Sequence, residues 1–121
     1  MRKINLGEAF ARFSDHWSPK VLGDVNDAQV KAVKLSGSFD WHHHEHEDEL
    51  FLVVAGRMRM RFRDGPVDLE PGELIIVPRG VEHCPEALGE ECHVLLFEPK
   101  TTLNTGEVES ERTVRTLERL D

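Results

Sequence analysis

Residues Glu49 to Phe62 read ELFLVVAGRMRMRF, and the two halves of that run follow different patterns. In RMRMRF, arginine alternates with Met58, Met60 and Phe62, so an extended strand turns the apolar residues to one face and leaves the arginines in water. In ELFLVVA, Phe51 and Val53 point one way while Leu50, Leu52 and Val54 point the other, so both faces are apolar and both require cover. The interior of a sandwich covers only one of them. The other must meet the N-terminal segment, another part of the chain or a second subunit, and a homodimer is the expectation.

Strands continue on either side. From Gln29 onward the chain breaks into seven short runs punctuated by glycine and proline: QVKAVKL, GSFDWHHH, ELFLVVAG, RMRMRF, VDLEPGE, LIIVPRG and HVLLFEP. This pattern predicts an all-β antiparallel sandwich or barrel. Gly56, the RDG at Arg63 to Gly65 and the EPGE at Glu70 to Glu73 are expected to make tight turns between neighbours. Ahead of the strands, NLGEAFARFSDHW spaces Leu6, Phe10, Phe13 and Trp17 as one face of a short helix, with Asn5 as its cap and Pro19 helping to stop it. That stripe is read as packing onto a sheet. The polar tail from Thr101 to Asp121 offers only Val114, Leu117 and Leu120 as a marginal stripe, and either wraps the barrel or frays.

A chain of 121 residues fits one domain, 1–121, with 39% hydrophobic and 31% charged residues as in an ordinary globular protein. The formal charge of -8 repels phosphate backbones and anionic headgroups, so neither nucleic acid nor membrane is an expected partner. No apolar run approaches the roughly 20 residues of a bilayer span, and MRKINLGEAF lacks the apolar centre of a secretory signal, so a cytoplasmic location is expected. Cys84 and Cys92 are too few for a disulfide scaffold and read as idle thiols.

Immediately before the doubly apolar strand, WHHHEHEDELF (Trp41 to Phe51) gathers four histidines and four carboxylates into eleven residues. In an extended strand His42 and His44 share a face, and His43 points away. Glu49 has the wrong parity for an unbroken strand, so the chain must turn within EHED, Glu45 to Asp48, to bring its carboxylate back to the same cavity. Two imidazoles and one carboxylate leave open coordination positions, a set suited to non-haem iron and shared by zinc and manganese. In PRGVEH, Pro78 and Gly80 turn the chain and offer His83 as a fourth ligand. His46 shares the parity of His42 and His44 and remains their competitor. His43 and His46 are nonetheless read as surface-facing, and His16 and His93 as structural or exposed.

These residues resemble the two motifs of the cupin superfamily. The first is carried by Gly37, His42-x-His44, Glu49 and Gly56, with one residue fewer than usual between Gly37 and His42. The second is carried by Gly72, Pro78-x-Gly80 and His83, with Ala87 where asparagine is frequent. The likeness covers about Val30 to Glu98 and is closest to small single-domain bacterial cupins that share WHHHEHEDELFLV, VPRGVEH and an NTGEV tail. It implies a jelly-roll β-barrel, frequently dimeric, with a divalent ion (iron, manganese, zinc or nickel) held by His42, His44, Glu49 and His83. Cupins include dioxygenases, isomerases, lyases and binding proteins, so the fold alone selects no reaction.

The resulting expectation is a metal-dependent, dioxygenase-like enzyme acting on a small polar or anionic molecule inside the barrel, with Phe51 and Met60 lining the cavity. A metal-dependent isomerase or lyase, and a non-catalytic sugar or small-acid binder, are the alternatives. A general base is not identified; Glu82 and Glu91 are weak candidates.

Overall fold

The computed structural model describes all 121 residues. Helix α1 (Leu6–Phe10) leads into β1 (Lys20–Val25), β2 (Ala28–Leu35), β3 (Glu49–Phe62), β4 (Gly65–Leu69), β5 (Leu74–Val77) and β6 (His83–Pro99). Every strand pairing is antiparallel, in the order β1-β2-β6-β3-β4, with β5 also on β3. The expected all-β barrel with one short helix is the fold observed.

The long strands β3 and β6 belong to both walls. One half of their pairing runs from Leu50↔Phe97 to Val53↔Val94, and there β6 also holds β2 while β3 holds β5. The other half runs from Arg57↔Leu88 to Phe62↔His83, and there β3 holds β4. Between the halves the register shifts around Ala55. On β3 the buried positions change from Glu49, Phe51 and Val53 to Met58 and Met60; on β6 they change from His83, Pro85 and Ala87 to Cys92, Val94, Leu96 and Glu98. A side-chain alternation of period two can switch phase only if a residue is inserted, so each strand carries an irregularity there. Gly56 (φ 78°) and Gly89 (φ 81°) supply the left-handed backbone it needs. Both walls thereby face one core containing Val33, Phe51, Val53, Met58, Met60, Val94 and Leu96. Fully burying each of these large side chains is worth roughly 1.5–3 kcal/mol.

Several local expectations need correction. Gly56 is not a turn: ELFLVVAG and RMRMRF form one strand, because the bulge lets the chain change phase without reversing. GSFDWHHH is not a continuous strand and touches β6 through the isolated bridges Ser38↔Glu86 and His42↔His83. Lys20–Val25, which carries little alternation, is a strand because β2 pairs with it. The helix ends at Phe10 instead of running toward Trp17. Beyond it, Lys34 donates from Nζ to the Phe13 carbonyl (2.6 Å), and the Trp17 amide donates to the Lys34 carbonyl (2.9 Å), so β2 captures the segment as a loop.

The cap and the packing role of the helix are as expected: Glu8 N–H donates to Asn5 Oδ1 (2.9 Å). Ala9 and Phe10 pack with Leu22, Ala32 and Leu120, against which Val54 and Leu95 also rest. The tail wraps. Val21 N–H donates to the Glu118 carbonyl (2.9 Å) and Leu120 N–H to the Val21 carbonyl (2.8 Å), adding a short edge beside β1. Helix and tail thus cover one end of the outer apolar face. At the other end Leu74, Ile76 and Phe97 stay 54%, 56% and 40% exposed around half-buried Leu50 and Leu52. No helix is long and apolar enough to cross a membrane.

At Gly56 a Cβ would overlap the Glu91 carbonyl oxygen of the facing strand and would have to tolerate a positive φ. Gly56→Ala is therefore expected to lower unfolding free energy by about 2–4 kcal/mol, read from the urea midpoint at constant slope. A loss below about 0.5 kcal/mol, the scale of a neutral surface change, would mean that the paired bulges relax freely.

Candidate metal centre

The ligand loop is held from two sides. His42 and His83 exchange backbone hydrogen bonds (3.0 and 2.9 Å), which ties the histidine run to the start of β6. Gly80 N–H donates to the His44 carbonyl (2.8 Å), and Arg79 N–H to Asp48 Oδ1 (2.8 Å), so the turn after β5 is fastened to the same loop. The chain bends at Glu45 and His46, where the parity argument requires it, and β3 begins at Glu49 with its carboxylate inward.

His42, His44, Glu49 and His83 are 3%, 3%, 4% and 0% exposed, and one ligand atom from each lies within 4.8 Å of all the others. His44 Nε2 and His83 Nε2 stand 3.0 and 3.3 Å from Glu49 Oε1. His42 and His83 each donate from Nδ1 to a nearby carbonyl, Asp40 (2.8 Å) and Val81 (2.9 Å). A carbonyl can only accept, so the proton sits on Nδ1 and the lone pair of Nε2 is free.

The residues present fit a metal ion. His44 Nδ1 and Nε2, His83 Nε2 and Glu49 Oε1 are buried without a hydrogen-bond partner of adequate geometry. Such orphaned groups are costly in an apolar interior, and a cation at their point of convergence would satisfy three of the four. Burial above all, with the His83 ring beside it acting in the same direction, pushes His42 down to about 4, which leaves it neutral as a ligand must be. Burial alone would raise the pKa of Glu49. The close imidazoles of His44 and His83 outweigh it and hold the carboxyl well below the usual carboxylate range. The donors on offer are thus three imidazoles and one carboxylate, a mixture accepted by several divalent transition metals.

The other histidines fall outside the group. His43 is half-buried and meets Glu45 Oε1 (2.8 Å), and His46 is exposed on the bend. His16 bonds Glu91 (2.6 Å), while His93 reaches the same carboxylate (2.8 Å) and stacks on Phe10 at 4.7 Å.

Beside the group lies a cavity of about 40 Å³, walled by Trp17, Phe39, Phe51 and Leu96 and reaching His42 and Glu49. Phe51 lines this cavity. Met60 is fully buried in the core and is not part of this wall, although Pro85, opposite it on β6, is. Neither Glu82 nor Glu91 lines the cavity; they pair with Arg63 and with His16 and His93.

Sequence reasoning missed Lys31, Glu98, Thr102 and Asn104, which supply most of the cavity's other polar groups. A signal was present for two of them: Lys31 shares the phase of Val33 and Leu35, and Glu98 that of Val94 and Leu96, so each is a charge in the apolar register of its strand. Burial, and then the nearby Glu49 carboxylate, push Glu98 well above the usual carboxylate range against the opposing pull of Lys31. The tail also contributes. Glu107 N–H donates to the His43 carbonyl (3.1 Å), and a Cβ on Gly106 would overlap that carbonyl oxygen and crowd the His42 ring. The NTGEV segment is thus a strap across the back of the ligand loop.

Fold and site together define a small antiparallel barrel that presents to its own interior a histidine-rich cluster positioned to bind a metal. Residues 31–98 match the cupin domain family (Cupin_2), and the chain belongs to that family. The crystal structure of a cupin-2 domain containing protein from Shewanella frigidimarina superimposes with a TM-score of 0.78 at 44% sequence identity, covering 80% of this chain and 94% of that one. The uncharacterized protein YdbB of Bacillus subtilis is 35% identical over 63 residues, 51% of this chain and 56% of YdbB. Homogentisate 1,2-dioxygenase of Bradyrhizobium diazoefficiens is 34% identical over 65 residues, 50% of this chain but 14% of the enzyme.

The geometry separates the roles of the histidines. His42→Ala and His44→Ala are each expected to abolish most tightly held metal, as each removes one of four converging donors, whereas His43→Ala and His46→Ala keep the parent stoichiometry. Metal content of dialysed, tag-free protein measures this; loss in His46→Ala with retention in His42→Ala would shift the ligand set by two residues.

Proposed function

We propose that this protein is a metal-dependent enzyme with dioxygenase-like chemistry, acting on a small polar or anionic molecule inside the barrel. The observation that carries the reading is the convergence of four buried, under-satisfied donors beside a cavity with both apolar and charged walls. His42, His44, Glu49 and His83 would hold one divalent ion. Bound there, such an ion with open positions supplies Lewis acidity and, if it is iron, redox chemistry toward dioxygen. The partial likeness to a dioxygenase supports this choice.

The chain's own residues have definable tasks. Trp17, Phe39, Phe51 and Leu96 keep bulk water from the reacting molecule and strengthen every electrostatic contact in the cavity. Glu98, a buried carboxyl that tends to keep its proton, can hold or release one at the cavity wall. That same carboxyl favours a second reading, a metal-dependent isomerase or lyase, in which Glu98 moves the proton. Elemental analysis of tag-free protein, with oxygen consumption across a panel of small acids, tests the proposal. One divalent ion per chain and oxygen uptake that disappears in His42→Ala are expected. Isomerised or eliminated products formed without oxygen uptake would replace it with the second reading.

The same proposal includes a homodimer. Leu74, Ile76 and Phe97, ranged around Leu50 and Leu52, make an apolar patch that a second copy can cover. Cys84 and Cys92, both buried and free, suit a reducing cytoplasm. Sedimentation equilibrium at tens of micromolar, roughly the range where such contacts hold, should return a dimer, and Ile76→Asp a monomer. A parent protein that is strictly monomeric at that concentration would show that the helix and tail provide all the cover this face receives.

A further inference from the structure

Lys31 is 2% exposed, yet its ammonium has no hydrogen bond in the structure. The nearest opposite charge, Glu98 Oε2, is 3.7 Å away, beyond hydrogen-bonding range. An ammonium has three donors, and holding one at a cavity wall with no hydrogen bond from the protein costs free energy unless a water or a ligand meets it there. Packing does not call for it. At the same inward phase of β2 stand Val33 and Leu35, and an aliphatic residue at 31 would continue that wall against Leu96, its partner on β6. The charge lines the cavity that also reaches His42 and Glu49, with Thr102 and Asn104 among its walls.

We infer that Lys31 is the cation that recognises the carboxylate of the molecule bound in this cavity, so that the ligand is a small organic acid. A single ammonium beside two carboxyl groups, Glu49 and Glu98, matches a monoanion and disfavours a phosphate dianion. The space limits size as well: about 40 Å³ is room for roughly three waters, which fits an acid of about two or three carbons. An acid anchored on Lys31 turns its remaining oxygens toward the end of the cavity where His42 and Glu49 stand. This inference rests on the cavity being the ligand site of the proposed enzyme, and it specifies the substrate class.

Calorimetric titration of the full, tag-free chain, both metal-free and loaded with zinc, tests it without turnover. Glycolate and pyruvate are the acids, their primary amides the neutral controls, and inorganic phosphate the competitor. The acids are expected to bind at least about tenfold tighter than the amides and than phosphate. Lys31→Met should remove that preference with metal content unchanged, and Lys31→Arg should keep part of it. Equal binding of acid and amide by the parent protein, no binding of either acid, tighter binding of phosphate, or undiminished acid binding by Lys31→Met would each overturn the assignment. The comparison in the parent protein decides even if Lys31→Met does not fold. Parent protein that takes up no metal but still prefers acids over amides would end the metal-enzyme reading and leave Lys31 in its role.

Discussion

The contact between the bulged segments of β3 and β6 is the constraint on which the rest of the barrel depends. Each strand runs through both walls, and each must bury one face all the way along, although the wall it belongs to changes direction at mid-length. A phase shift of the side-chain alternation on both strands at the same level meets that requirement. Gly56 lies directly against the Glu91 carbonyl because the two irregular segments face one another. With one irregularity alone, half of one strand would turn its polar face inward; Glu49 and Phe51 would then share the interior with Arg57 and Arg59 instead of Met58 and Met60.

The phase shift also keeps both halves of the interior lined. Glu49, Phe51, Leu96 and Glu98 come inward from one half, and Met58, Met60 and Ala87 from the other, which is filled as core except where Pro85 and His83 return to the cavity and the histidine cluster. The ligand-bearing loop has no regular structure of its own. It is fixed by β6 through His42 and His83, by the turn after β5 through Gly80 and His44, and by the tail through Glu107 and His43. A loop tied to three partners keeps four buried polar side chains converged, although their mutual contacts leave several hydrogen-bonding positions unfilled.

Buried polarity in this molecule is concentrated rather than scattered. Lys31, Glu98, Glu49 and three histidines occupy one end of a core that is otherwise aliphatic and aromatic. Each is a local loss in stability, offset by two apolar clusters, the barrel core and the helix-and-tail cluster on the outside. Other buried lysines are satisfied at the surface: Lys20 by Asp15 and Glu118, Lys34 by the Phe13 carbonyl. Lys31 alone among them points to the interior without such a bond, which separates it from a lysine that merely snorkels.

Sequence alone determined the class of fold, because alternation and turn residues are local and each strand carries its own pattern; RMRMRF and WHHHEHEDELF could be read without knowing any neighbour. The parity of His42 and His44, and the bend before Glu49, follow from the same local geometry, and these residues converge in one buried cluster. Tertiary structure decided what depends on pairing across the chain. Whether Gly56 ends a strand or bulges it depends on β6; whether Lys20–Val25 is a strand depends on β2; and whether Met60 meets the cavity depends on how the closed barrel packs its core. Lys31 and Glu98 stood in the apolar phase of their strands throughout. That they share one cavity with the histidine cluster is a property of the closed barrel, in which residues 31, 49 and 98 become neighbours only after β6 has been laid between β2 and β3.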